Sequence, residues 1–510
     1  MTSENRQRST AGGVTYGFVP IPDPHASYQA LLARDARFDG RVFIAVKTTG
    51  VYCRPVCPAA PAKFRNCAFF PSAAAAQEAG FRPCLRCRPE TTYELGAWRG
   101  TSSTIARALA MISEGTLDGD EASVDELAER LGLGERQLRR LFQTHVGASP
   151  SAVARTRRVL FAKQLLHETS LPMTEVALAS GFGSIRQFND TFRTLFRRSP
   201  SAIRQDVHLG SAPDAGVVVR LRYRPPYAWR EVLEHLRARA IPGVEQVSED
   251  AYARTILRRG RLGTIQISHD APQSCLVAAI RLPELGDLSA VVARMRALFD
   301  LDADVGTIEA HLARDPLLAP LVGRRSGLRV VGCWDGFELA VRAVLGQQVS
   351  VAAARVLAEE LVGVCSESRG KGALSRAFPL PEQVLGANLA KLGMPAARKS
   401  ALRALARAAL ENPRLFDARP SVEETVSALR SVEGVGEWTA NYIALRAARE
   451  PDAFPAEDAA LIRSLAAHDA RVTPARLRER AERWRPWRGY AAQHLWAADA
   501  GRSARKGKRT

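Results

Sequence analysis

The stretch Leu429-Arg-Ser-Val-Glu-Gly-Val-Gly-Glu-Trp-Thr-Ala-Asn-Tyr442 has the pattern of a helix–hairpin–helix. Gly434 and Gly436 let the hairpin backbone approach a phosphate with its N–H groups exposed, and a helix N-terminus follows at once. The carbonyls of such hairpins often also hold a monovalent cation. Taken alone, the motif implies DNA contact without sequence preference, and many non-enzymes carry it. The chain around it is expected to be helical from Asp335 almost to its end. Sixteen residues after Tyr442, Glu457-Asp458 follows Phe454-Pro455. Spacing alone makes Asp458 the N-cap of a helix over 459–467.

Upstream the period changes from helical to extended. Val219, Leu221 and Tyr223 alternate with Arg220, Arg222 and Arg224, as in a half-buried strand. Short strands are expected at 265–267 and 276–280, with helices over 229–239 and 288–298. Residues 206–218, with Gly210, Pro213 and Gly216, have linker composition. The expected organisation is therefore multidomain α+β. A polar arm (1–20) precedes a small α/β domain (21–91) and an all-α region (100–205). After the linker come an antiparallel-sheet domain (219–330), the all-α helix–hairpin–helix domain (331–500) and a basic, disordered tail (501–510).

In the all-α region, Ser123-Val-Asp-Glu126 forms a capping box that opens a helix. Leu131-Gly-Leu-Gly134 supplies a turn, and a basic helix over 135–146 follows, anchored by Leu138, Leu141 and Phe142. The plan recurs about 49 residues later. Val176-Ala177 matches Leu127-Ala128, Arg186-Gln187-Phe188 matches Arg136-Gln137-Leu138, and Ser199-Pro200 matches Ser149-Pro150. A bridging helix over 151–168 joins the two units. Such a repeat of helix-turn-helix units would place each second helix in a major groove. The side chains offered to base edges or phosphates are Glu135, Arg136, Arg139 and Arg140 in the first unit, and Ser184, Arg186, Gln187 and Asn189 in the second.

Residues 21–91 hold five of the eight cysteines, with little helical periodicity until 72–79. Cys53-Arg-Pro-Val-Cys57 and Cys84-Leu-Arg-Cys87 are two short-spaced pairs that together complete a tetrahedral four-thiolate set suited to zinc. Spacing does not distinguish a site that only staples the domain from one that reacts. Cys67, Cys275, Cys333 and Cys365 fall outside the pattern and are expected as small buried residues. A net charge of +19 and a pI near 10.1 favour a polyanionic partner, since each contacted phosphate releases counterions. No stretch is apolar enough for a signal peptide or a bilayer span, so a reducing, cytoplasmic setting is expected.

Three resemblances sharpen these expectations. Phe43-Ile-Ala-Val-Lys-Thr-Thr-Gly-Val-Tyr-Cys-Arg-Pro-Val-Cys57 with Gly80-Phe-Arg-Pro-Cys-Leu-Arg-Cys87 resembles the N-terminal domain of Ada-type proteins. The resemblance implies that Cys53 accepts a methyl group from a DNA methylphosphotriester, irreversibly, while Cys57, Cys84 and Cys87 hold the zinc with it. The paired units resemble the AraC/XylS-type DNA-binding domain, and because methylation of Cys53 would remove one negative charge from a DNA-facing surface, regulation that methylation activates is expected, with RNA polymerase as a partner. No Pro-Cys-His-Arg motif occurs in the sequence, so direct repair of O6-alkylguanine is not expected.

From Leu221 to about Asp499 the chain is similar to AlkA-type 3-methyladenine DNA glycosylases. Arg224-Pro-Pro-Tyr-Ala-Trp229, Gly332-Cys-Trp-Asp-Gly-Phe337, Val341-Arg-Ala-Val-Leu-Gly-Gln-Gln-Val-Ser350, the hairpin and Ala481-Glu-Arg-Trp-Arg-Pro-Trp-Arg488 carry the match. It implies excision of N3- or N7-alkylated purines from double-stranded DNA, with Asp458 as the catalytic carboxylate. Trp438, Tyr442 and Trp496 would stack on the flipped base. Trp438 stands where bifunctional relatives carry a Schiff-base lysine, which implies a monofunctional enzyme. Three positions depart from the family. Gln348 replaces a leucine wedge, His235 an aromatic pocket residue, and Ala459 a tyrosine beside the aspartate. A purely regulatory protein whose glycosylase fold is an inactive clamp is the alternative.

Overall fold

The computed structural model describes residues 23–92, 104–119, 122–204, 216–368, 372–466 and 472–507. The N-terminal arm and most of the linker lie outside these residues.

The first domain is a four-stranded sheet in the order Cys67–Phe70, Phe43–Val46, Val51–Cys53, Arg82–Pro83. The outer Arg82–Pro83 strand runs parallel to its neighbour and the others are antiparallel. The helix Ala73–Glu78 is capped by Ser72, as its periodicity predicts. A second helix, Pro24–Leu32, was not expected. Its cue is Asp23-Pro24, an acceptor at the N-cap followed by a proline at the first helical position.

The all-α region follows its repeat closely. The helices Val124–Arg130 and Glu135–Val146 form the first unit, Met173–Ala179 and Ile185–Phe196 the second, and Pro150–Glu168 the bridge. Ser123 and Ser184 cap by accepting from Glu126 N and Gln187 N. In both units the apolar stripe faces inward, with Leu138 and Phe142, then Phe188 and Phe192, fully buried.

Beyond the linker, five antiparallel strands lie in the order Val217–Arg222, Cys275–Arg281, Arg261–Asp270, Ala251–Arg258, Glu245–Val247. Val217, Val219 and Leu221 are buried on one face, as alternation predicts. This sheet does not stand apart from the paired helix-turn-helix units. Phe188, Phe192 and Leu165 share one apolar core with Val219, Ile265 and Leu276. The helical domain has its own core, built around Phe337, Leu402, Leu429, Ile443 and Trp484.

Two expectations need correction. The tail is not irregular from residue 501, because the last helix runs Arg488–Gly507. Ala, Arg and Lys, which dominate the sequence here, have good helix propensity. Cys67 and Cys275 are buried, but Cys333 and Cys365 are only partly so.

Candidate functional sites

Cys53 ends the strand Val51–Cys53, and Cys57 follows a turn closed by its own N–H on the Arg54 carbonyl at 3.1 Å. Cys84 comes directly after the parallel strand and donates its N–H to the Tyr52 carbonyl at 3.0 Å. This pairing brings the four Sγ atoms within 4.8 Å of one another. Four soft donors at that spacing fit a tetrahedral dication. The backbone N–H of Arg54 donates to Cys87 Sγ (3.4 Å), and that of Arg86 to Cys84 Sγ (3.3 Å). Such bonds favour thiolates. Crowded against it, the thiols of Cys57, Cys84 and Cys87 push the Cys53 thiol far above its ordinary range. A bound dication reverses this. Cys53 is partly exposed and the other three cysteines are buried.

The sequence did not point to what lies behind this centre. Lys163, on the bridging helix and 0% exposed, donates to the Cys84 carbonyl (3.2 Å) and to Glu90 (2.5 Å). Arg88 reaches both Glu90 and Glu168. On the other side, Arg41 pairs with Asp304 of the sheet-bearing half, and Arg224 donates to the Asp39 carbonyl at 2.6 Å. The four-thiol domain is thus wedged between the bridging helix and the C-terminal half.

Of the recognition-helix candidates, Arg136, Arg139, Arg140, Arg186 and Gln187 are exposed. Arg139 pairs with Glu135 along the helix at 2.6 Å, a solvent-exposed contact that a phosphate can replace at little cost. Ser184 serves as the N-cap, and Gln187 turns its Oε1 to the Gly183 N–H at 3.2 Å. Asn189 is partly buried.

In the helical domain, Asp458 caps the helix Ala459–Ala466 through Oδ1, which accepts from Ala460 N and Leu461 N. It does more than cap. The indole of Trp496 donates to Oδ1 at 3.0 Å and that of Trp438 to Oδ2 at 2.8 Å. The two tryptophans expected as stacking surfaces are therefore also the carboxylate's donors. Trp438 and Tyr442, one turn apart, stack at 5.4 Å and 16°, and Trp496 stands edge-on to Tyr442 at 6.2 Å.

Two arginines missed by sequence reasoning complete the cleft. Arg446 continues the Trp438, Tyr442 face by another turn, and its guanidinium lies 5.1 Å from the Tyr442 ring and 5.3 Å from that of Trp496. It is buried, tied to the Val331 carbonyl and to Gln493. The charge of Arg239 also bears on the Tyr442 hydroxyl. Burial pushes the Tyr442 phenol up, but Arg446 and Arg239 outweigh it and leave the phenol below its ordinary value. His235 is half-buried near both arginines, and desolvation first, then their charges, holds its imidazole well below the usual histidine range. Ala459 is exposed at the rim.

The hairpin joins the helices Val422–Arg430 and Glu437–Arg446. Gly434 has φ +82°, and a Cβ there would lie 2.3 Å from the Ala401 methyl, so both conformation and packing require glycine. A Cβ at Gly436 would meet nothing within 4 Å, which leaves that backbone open to an approaching group. Gln348 stands in an exposed turn after the helix Gly336–Leu345, in the left-handed region at φ +57°.

The chain matches three family models: the metal binding domain of Ada over residues 26–90, a helix-turn-helix domain over 127–206, and the AlkA N-terminal domain over 218–335. With the cysteine geometry, the first identifies a four-cysteine zinc site. Across 479 residues the chain is 42% identical to a probable bifunctional transcriptional activator/DNA repair enzyme AlkA of Mycobacterium tuberculosis, covering 92% of this chain and 95% of that one. It is 36% identical over 279 residues to DNA-3-methyladenine glycosylase 2 of Escherichia coli, covering 54% of this chain and 95% of the relative. A third relative, the bifunctional transcriptional activator/DNA repair enzyme Ada of E. coli, is 33% identical over 155 residues, 30% of this chain and 42% of the relative. Among solved structures, 3-methyladenine DNA-glycosylase from Archaeoglobus fulgidus shares the fold of the C-terminal half, with a TM-score of 0.50 at 22% identity over 55% of this chain and 98% of that one.

Proposed function

Because the chain belongs to the family of bifunctional transcriptional activator/DNA repair enzymes of the AlkA type, we propose that it repairs alkylated double-stranded DNA by two chemistries and reports one of them to promoters.

In the first chemistry, Cys53 Sγ attacks the methyl carbon of a backbone methylphosphotriester. The S–C bond forms as the C–O bond breaks, and the phosphodiester leaves as its anion, so no proton has to move. When bound, the zinc keeps the sulfur a thiolate at neutral pH. The supporting observation is that Cys53, alone of the four, is partly exposed. Mass spectrometry after exposure to methylphosphotriester DNA should find one added methyl on Cys53. An unmodified Cys53 would leave the zinc as a staple.

Methylation also removes one negative charge from a DNA-facing surface, within a Debye length of about 8 Å. Phosphate binding then strengthens, and the recognition helices, with Arg136, Arg140, Arg186 and Gln187, hold a promoter for RNA polymerase. Equal affinity of methylated and unmethylated protein for a specific duplex, at low and high salt, would sink this switch.

In the second chemistry the helical domain excises N3- or N7-alkylated purines. Such a base leaves readily because it is already cationic, so the protein must flip the nucleotide and stabilise positive charge at the sugar. Asp458 supplies the negative charge. Its two indole and two backbone donors fix the carboxylate without neutralising it. Trp438, Tyr442 and Trp496 flank the base, His235 lines the pocket, and Gln348 fills the gap in the stack. The hairpin at Gly434 and Gly436 grips the phosphate, with a monovalent cation on its carbonyls. Trp438 at the lysine position makes the enzyme monofunctional, and borohydride should trap no covalent adduct. Asp458→Asn keeps a helix cap but loses the charge. It should cut excision by about 10²–10³-fold, whereas absence of base release by the wild type would favour an inactive clamp.

A further inference from the structure

The exposed turn carrying Gln348 is held by the residue before it. Gln347 Nε2 donates to the Gly434 carbonyl at 2.9 Å and to Thr439 Oγ1 at 3.0 Å. Its own carbonyl accepts from the Arg398 guanidinium at 2.7 Å. Arg398 lies on the helix Ala396–Glu411, whose Ala401 packs against Gly434. Three distant stretches thus meet at one point: the turn after Gly336–Leu345, the start of Ala396–Glu411, and the hairpin. The turn itself protrudes. Gln348 occupies the left-handed region, which is costly for a side chain with a Cβ, and Val349 and Val351 after it are 38% and 44% exposed.

An exposed turn in a strained conformation persists only where its surroundings fix it. Here the fixing contacts run to the element that grips a phosphate. We propose that Gln347 is a positioning residue that ties the Gln348 turn to the hairpin, so that phosphate docking sets the depth and angle at which Gln348 enters the base stack. This rests on the glycosylase reading of the helical domain. Its chemistry is two hydrogen bonds from one amide. A hydrocarbon of similar length keeps the packing and loses the tie. The Gly434 carbonyl, rather than a hairpin N–H, is the group engaged, so Gln347 takes none of the hairpin's donors away from DNA.

The test compares wild type, Gln347→Leu and Gln347→Asn in the full-length protein. The probe is a duplex with one N7-methylguanine flanked by 2-aminopurine. Fluorescence reports unstacking, base release reports chemistry, and an undamaged duplex reports hairpin binding. For Gln347→Leu, the flipping signal and the single-turnover excision rate should fall together at least tenfold, with affinity for the undamaged duplex within twofold of wild type. Placing the lesion opposite an abasic site, where it is already poorly stacked, should restore most of the rate. Gln347→Asn keeps the amide on a shorter arm and should fall between. Affinity for undamaged DNA that falls in parallel, or an equal loss on the pre-unstacked substrate, would mean the residue merely supports the hairpin fold and would overturn the tie. The glycosylase reading fails separately: wild type that flips but releases no base refutes the chemistry, while flipping unchanged in Gln347→Leu refutes the tie.

Discussion

The four-thiol centre and the Asp458 cleft solve opposite problems. At the first, ligands close in sequence gather on one short sheet, and the proposed acceptor, Cys53, is the partly exposed one of the four. At the second, the carboxylate collects donors 20 and 38 residues away in sequence, and two buried or half-buried cations stand nearby. The first site is held by its metal, the second by the packing of a whole domain. Losing the metal should therefore disable the first site and leave the second working.

Zinc removal gives the largest expected contrast. Structural zinc contributes apparent binding free energies of about 10–16 kcal/mol in small domains. Stripping it with a chelator, or making Cys57→Ser, should abolish methyl transfer to Cys53. Excision should persist within about threefold, since the helical domain has a separate core. Loss of both activities together, measured on one preparation, would break the contrast.

Glu90→Gln comes next, because it strands Lys163 in the interface. Removing one partner of a buried ion pair costs about 3–5 kcal/mol. The sign with pH follows from the shift. Burial pushes the Glu90 carboxyl up, but Lys163 and Arg88 outweigh it and leave it below its ordinary value. Its stabilising contribution is thus complete above the unfolded carboxyl pKa of about 4.3 and is lost as pH falls through the lower, folded value. Thermal unfolding of the variant should show a lower Tm at neutral pH, with the gap to wild type closing in acid. A Tm unchanged at pH 7 would mean that the four-thiol domain is not locked to the bridging helix.

Trp496→Phe tests the second site. It keeps an aromatic ring beside Tyr442 but removes one N–H from Asp458. A hydrogen bond to a charged group contributes about 1.5–3 kcal/mol, so excision should fall about 10–100-fold. If stacking alone mattered, the rate would barely change.

How much of this was legible differed between the sites for a physical reason. Cys53, Cys57, Cys84 and Cys87 announce themselves, because metal-ligand spacing is a local property of the chain. The repeat of Leu127-Ala128 in Val176-Ala177, and the alternation from Val219, are likewise periodic and local. Asp458 looked like a cap, and a cap it is, but the indoles that make it more come from elsewhere in the fold. Lys163 looked like one more basic residue on a helix in a basic chain, and its burial depends on a domain interface that no spacing encodes. Arg446 could have been found, since it lies on the Trp438–Tyr442 face at helical period. Arg239 and Gln347 carried no such signal.

His235 gives the smallest and most discriminating effect. Desolvation, then Arg239 and Arg446, depress its imidazole pKa. A base whose folded pKa lies below its unfolded value of about 6.5 binds fewer protons when folded. Wild type should therefore lose stability as pH drops below about 6.5, while His235→Phe should not lose that part. Above about pH 7 both side chains are uncharged, so their excision rates on N7-methylguanine should agree within about threefold. The difference in Tm between the two proteins, followed from about pH 8 to 5, isolates this group, because the other titrations cancel in the subtraction. A flat difference would mean that the imidazole is solvated and charges freely. The cleft would then take on a third cation in acid, and cationic purines would be excised more slowly there than by His235→Phe.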